Sequence, residues 1–211
     1  MDGIIATLKT LYASIKPEID KRFCEFGKNN TREKIEKELF FCLLTPQCKA
    51  KVCWQNVERL YGSRLLLTGL EKDIAENFRG IRFRNNKARY IVDAREKFFN
   101  GFLQFERILS EKNPYLLRDY IVENIKGMGY KEASHFLRNI GKGSELAILD
   151  RHILRGLKMA GVIDDVPASL TKKKYIEIEK AMKEFAEKKI RIPVSHLDFV
   201  FWHFFNGEVF K

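Results

Sequence analysis

The stretch Asn124-Ile-Lys-Gly-Met-Gly-Tyr-Lys-Glu-Ala133 stops one helical pattern at Gly-x-Gly and starts another at once. It reads as helix, tight hairpin, helix. Glycine tolerates the positive φ of such a turn and, lacking a side chain, admits a close neighbour. The amides of Met128 to Lys131 then lie at the start of the second helix, where unpaired N–H groups bind an anion well. Lys and Arg number 39 against 28 Asp and Glu, a net charge of +11, so the anion expected is a phosphate of nucleic acid. Contact with the sugar-phosphate backbone would be blind to base sequence. No strand pattern precedes the glycines, which argues against the Rossmann and P-loop turns that also hold phosphate.

Outward from the hairpin, apolar positions recur at helical spacing and alternating strand-like runs are nearly absent, so the fold class is all-α. The 211 residues can bury a core without disulfide or metal staples. Helices are predicted near 2–26, 31–45, 49–61, 71–78, 85–99, 114–125, 131–140, 151–160, 170–188 and 195–205. Thr31 and Asn113-Pro114 offer helix-start chemistry, and Pro193 a stop or restart. Gly80 to Ala88 carries a weaker glycine-turn-Lys-Ala texture and reads as a loop into a helix, not a second copy. Lys172 to Lys174, followed by alternating Glu and Lys, reads as the wet face of a surface helix.

Cys24, Cys42, Cys48 and Cys53 form no Cys-x-x-Cys pair and have no histidine at finger spacing, so they are expected as small buried hydrophobes of a reducing compartment. The longest apolar run, Leu39 to Leu44, is far below the roughly 18 residues of a membrane span. With Asp2 near the amino terminus, neither a span nor a secretory signal is expected, and the compartment is the cytoplasm.

Lys131 follows the turn by one residue, where the positive end of a helix works against an ammonium charge, as a nucleophilic amine requires. Ser134, His135 and Arg138 share its helix face, and Ala133, Phe136, Leu137 and Ile140 form the opposite stripe. One face should pack and the other stay polar and open; the plain reading is a solvated face. Nineteen residues on, Asp150 precedes the helical start Arg151-His152 and has the chemistry of an N-cap. A capping carboxylate at a cleft mouth can also face a developing cation. His135 and His152 read as DNA-facing or structural hydrogen-bonders, not metal ligands.

These residues resemble the helix-hairpin-helix DNA glycosylases, the superfamily of endonuclease III and the 8-oxoguanine glycosylases. The resemblance covers most of the chain and rests on Lys126-Gly-Met-Gly-Tyr, on Lys131 and on Leu149-Asp-Arg-His152. It implies two helical subdomains flanking a cleft: a central one over about 31–125, and a hairpin and catalytic one over about 126–211 with residues 1–30 packed on it. Lys131 and Asp150 are its implied catalytic pair. Lys126, Gly127, Met128, Gly129, Arg151, His152 and, from Leu43-Leu-Thr-Pro-Gln47, Gln47 are its implied DNA contacts. Lys126 stands where many such hairpins carry proline, and the carboxyl-terminal four-cysteine iron-sulfur motif is missing, which disfavours an oxidised-pyrimidine specialist. Short length and the ending Leu197 to Lys211 look like the compact archaeal-type, or type 2, 8-oxoguanine glycosylases. There Trp202 and Phe210 would wall the base pocket, and Lys211 with its terminal carboxylate would read the purine edge.

The implied activity is glycosylase and lyase chemistry on duplex DNA containing 8-oxoguanine, by a monomer without redox cofactor, catalytic metal or iron-sulfur cluster. A monovalent cation at the hairpin carbonyls is implied by the resemblance. Rival readings are a non-catalytic DNA grip, a glycosylase for another oxidised base, a glycosylase without lyase activity and a basic protein-interaction domain.

Overall fold

The computed structural model describes residues 2–99, 108 and 110–211. In chain order the helices are α1 (Asp2–Phe26), α2 (Arg32–Leu44), α3 (Ala50–Gly62), α4 (Leu65–Thr68), α5 (Glu71–Asn77), α6 (Arg84–Ala94), α7 (Pro114–Asn124), α8 (Tyr130–Asn139), α9 (Arg151–Met159), α10 (Lys172–Phe185) and α11 (Val194–Asn206). Single π-helical turns, Arg95–Phe99 and Ala186–Ile190, prolong α6 and α10. No strand occurs among the described residues, and no helix there is long and apolar enough to cross a membrane.

Helix starts follow side-chain chemistry. Thr31, Asn113, Asp150 and Thr171 hold an extended backbone while their side-chain oxygens accept first-turn amides. Asn113 serves two amides, with Pro114 at the position where a missing N–H leaves nothing unpaired. Each predicted helix is present within a few residues. The four-residue α4 was not predicted, because one turn is too short to display a period.

Two buried clusters organise the chain. The first draws on α2 to α7 and continues through Met128, Ala133, Phe136, Leu137 and Ile140 to Leu146. The second takes α1 and most of the buried apolar residues from Ala147 to Val209. Along the chain the first cluster runs on past the hairpin to Leu146, because the apolar stripe of α8 packs against α2 and its neighbours.

The polar side of α8, expected to be open, is buried as well. Ser134, Arg138 and Asn139 are each answered by a different helix. Arg118 of α7 donates to Ser134 Oγ at 3.2 Å and forms a two-pronged pair with Glu179 of α10 at 2.7 and 2.9 Å. Arg138 pairs with Asp198 of α11, and Asn139 donates to Glu38 of α2 at 2.8 Å. Burying a polar group costs far less when it is bonded, so these three pairings make α8 a pin between the clusters. Glu179 likewise departs from the wet-face reading of α10, whose other buried residues are Tyr175, Ile178, Met182 and Phe185. All four cysteines are free thiols, but only Cys42 and Cys53 are buried; Cys24 is exposed and Cys48 half-buried.

Candidate active site

The hairpin is built by backbone more than by side chains. Ile125 leaves α7 at φ −109, Gly127 takes φ +87, and Gly129 N-caps α8 in extended backbone at φ −89. Gly127 is required twice over, since a Cβ there would lie 2.4 Å from the Tyr90 ring of α6. Gly129 supplies no positive φ, so the turn needs that freedom once, not twice. Met128 also departs from expectation: its side chain is buried in the first cluster and its amide donates to the Ile125 carbonyl at 3.2 Å. The amides left for an anion are thus those of the first turn of α8, which no side chain caps, with Lys126 and Gly127 exposed at the tip. Tyr130 donates to Asp119 at 2.6 Å, and Asp119 pairs with Lys172 at 3.1 Å. The lysine-rich start of α10 therefore stands beside the hairpin.

Between the clusters lies a cleft of about 850 Å³. Lys131 from the start of α8 and Asp150 from the start of α9 both line it. Asp150 Oδ1 accepts the amides of His152 and Ile153 at 2.7 and 2.9 Å, and Oδ2 carries no hydrogen bond among the described residues. The cap uses one oxygen and leaves the other for the cleft. Lys131 Nζ has Glu132 Oε1 at 3.5 Å, a carboxylate neighbour that the sequence reading left out.

Gln47 reaches the cleft on a loop where it takes φ +56. That loop is held by Lys87 of α6, whose buried Nζ donates to the Leu44 and Pro46 carbonyls at 2.7 and 2.8 Å and to Cys48 Sγ at 3.2 Å. Arg151, His152 and Trp202 line the same space. The His152 ring meets Trp202 edge-on at 5.0 Å. This meeting depends on Gly156, where a Cβ would lie 2.2 Å from Phe201 and hold α9 off α11. Lys126, Gly127, Met128 and Gly129 are not among the cleft's lining residues and belong to the hairpin outside it.

The two tail residues are placed differently. Phe210, expected as a pocket wall, is not among the cleft's lining residues; its ring packs on the first cluster. Lys211 does line it, but its amine is paired with Glu38 and sits 3.2 Å from the centroid of the Trp54 ring, so that amine is not free to read a base.

The inner wall carries groups the sequence reading had placed on an open face. His135 lines the cleft, and neither ring nitrogen has a hydrogen-bond partner among the described residues. Burial pushes its pKa well below the usual 6.5, the Arg138 and Lys131 cations push the same way, and the Lys211 backbone works against them. The ring is a neutral imidazole with unspent polar atoms. Arg138, buried against Asp198 and 4.3 Å from the centroid of the Phe199 ring, also feels the Asp150 carboxylate. The i+4 spacing from Lys131 marked His135; the partner of Arg138, sixty residues away, had no local signal. Among the described residues no group of three or more His, Cys, Asp or Glu is placed to hold a metal ion.

The structure thus brings an amine and a carboxylate to one cavity, with the uncapped first turn of α8 beside it. Comparison with known proteins adds to that picture. The family model for 8-oxoguanine DNA glycosylase matches residues 17–191. An 8-oxoguanine DNA glycosylase/AP lyase of Fusobacterium nucleatum is 40% identical, with 97% of this chain and 96% of that protein covered. The crystal structure of the Methanocaldococcus jannaschii 8-oxoguanine glycosylase/lyase in complex with a 15mer DNA containing 8-oxoguanine superposes with TM-score 0.87 at 38% identity, over 98% and 99% of the two chains. The 8-oxoguanine DNA glycosylase of Thermotoga maritima gives TM-score 0.88 at 31% identity over the full length of both. The likeness runs over nearly the whole length of both sequence and fold, and the chain belongs to the 8-oxoguanine DNA glycosylase family.

Proposed function

We propose that this protein excises 8-oxoguanine from duplex DNA and then cleaves the strand at the abasic sugar. The observation that carries the reading is the convergence of Lys131 and Asp150, from two separate helix starts, on one cleft. DNA is gripped through its phosphates by the first-turn amides of α8 and the basic residues around the hairpin, without regard to sequence. The damaged guanine rotates out of the stack into the cleft, beside Trp202 and His135.

Lys131, as the neutral amine, attacks C1′ while the glycosidic bond breaks and the base leaves with its bonding pair. Asp150 Oδ2 faces the cation-like sugar and takes the proton the amine sheds. The sugar ring then opens: the C1′–O4′ bond breaks as the amine lone pair forms C=N, and O4′ takes a proton from Asp150. The resulting imine acidifies the C2′ hydrogen; its loss expels the 3′ phosphate, and hydrolysis of the imine frees the enzyme. No step calls for a redox cofactor or a catalytic metal. A monovalent cation shared between a phosphate and the carbonyls of the exposed Lys126–Gly127 turn would add to the grip and take no part in the reaction. The bacterial and archaeal relatives support a place beside the chromosome in the cytoplasm of a prokaryotic cell.

The test is a panel of single-lesion duplexes scored separately for base release and nicking, with borohydride present to reduce the imine. The expected result is release of 8-oxoguanine, nicking and a trapped adduct, the last two absent in Lys131→Gln. Nicking that survives in Lys131→Gln would overturn the mechanism. Preference for a different oxidised base would overturn the substrate.

A further inference from the structure

The last four residues cross between the clusters instead of trailing from them. Glu208 pairs with Lys51 of α3, Val209 is buried in the second cluster, and Phe210 packs on the first. The chain then ends at Glu38 of α2. That carboxylate is buried, with 2% of its side chain exposed. It accepts the Lys211 ammonium on Oε1 and the Asn139 amide of α8 on Oε2 at 2.8 Å. Trp54 and Phe41 cover the ammonium, with ring centroids 3.2 and 5.6 Å from Nζ. Burial lowers the Lys211 pKa, and the Glu38 charge opposes that fall.

One carboxylate therefore joins the end of the chain to the helix that begins beside Lys131. With its amine spent on Glu38, Lys211 still lines the cleft, and its main chain bears on the His135 ring as a hydrogen-bonding neighbour. The His135 imidazole and this main chain form a polar edge of the cavity.

We infer that Glu38 is a positioning residue for base excision: by seating Lys211 it fixes the carboxyl-terminal end of the chain against His135, and so sets the polar edge that a flipped base meets. The inference rests on reading the cleft as the base pocket. It separates two half-reactions. Releasing a base needs the pocket edge in place, whereas nicking a preformed abasic site needs only the amine and the carboxylate near the sugar.

Glu38→Gln keeps the side-chain shape and a bond to Asn139 while removing the charge. Single-turnover rates are measured on an 8-oxoguanine duplex and on an abasic duplex, together with the thermal midpoint. The expected result is a loss of about tenfold or more in base release, with abasic nicking held within about twofold. The double variant Glu38→Gln/Lys211→Met, which removes both charges, should regain thermal midpoint without regaining base release. Equal losses on both substrates, or no loss on either, would overturn the inference. An unaltered protein that nicks abasic DNA but frees no 8-oxoguanine would refute the underlying reading, and this inference with it.

Discussion

The two ends of the cleft treat a lysine in opposite ways. Lys131, at the hairpin end, keeps 23% of its side chain exposed and has one carboxylate at 3.5 Å. Lys211, at the carboxyl-terminal end, is 13% exposed, paired with a buried carboxylate and covered by an indole. A loosely held amine can lose its proton and move toward a reacting carbon; a seated one can only hold shape. The difference teaches that position in a cleft does not define a lysine's task, and that the partners of the ammonium do.

The sharpest break of that contrast is in rate. Lys131→Gln should lower strand nicking by about a thousandfold or more in single-turnover assays, because no other amine replaces the covalent step. Its thermal midpoint should hardly move, since a long 3.5 Å pair that still reaches solvent contributes about 0–1 kcal/mol. Lys211→Gln should do the reverse in stability, losing about 3–5 kcal/mol in urea unfolding, as a buried Glu38 loses its counter-charge. Similar midpoints for the two variants would erase the distinction.

Asp150 tests the same division within one side chain. Asp150→Asn keeps a capping oxygen and should lower the rate about a hundredfold with little change in stability, whereas Asp150→Ala should also lose about 1 kcal/mol of cap. At the far wall, His135 must be neutral to stay buried, its pKa being depressed in the fold. The native state then binds fewer protons than the unfolded chain below about pH 6.5, so stability present above that pH is lost as pH falls, by up to about 1.4 kcal/mol per unit. His135→Phe should flatten this dependence in unfolding curves taken from pH 7 to 5; an unchanged slope would show that the ring does not carry it. The smallest effect belongs to the grip: Lys126→Gln should weaken DNA binding evenly across sequences and reduce the salt slope by about one.

Local chemistry made much of this legible. Gly127, Asp150 and the caps at Thr31 and Asn113 act within a few residues of themselves, so their spacing carries their meaning. Met128 was misread because a turn's pattern does not reveal which amide the turn itself consumes. Arg138 and Ser134 were misread for a different reason: helical periodicity sorts apolar from polar faces, and a polar face buried by ion pairs looks identical to a wet one.

The sequence by itself determined the hairpin, the cap at Asp150 and every helix but the single turn α4, because these follow from short-range backbone and capping energetics; Lys131 and Asp150 were paired through the likeness to a known family. Only the tertiary structure decided where the clusters meet, which loop Lys87 holds, and that Glu38 receives the last residue of the chain. Those contacts join residues as much as 173 positions apart. Long-range pairing of buried charge is chosen by the packing of whole helices, and no local pattern encodes it.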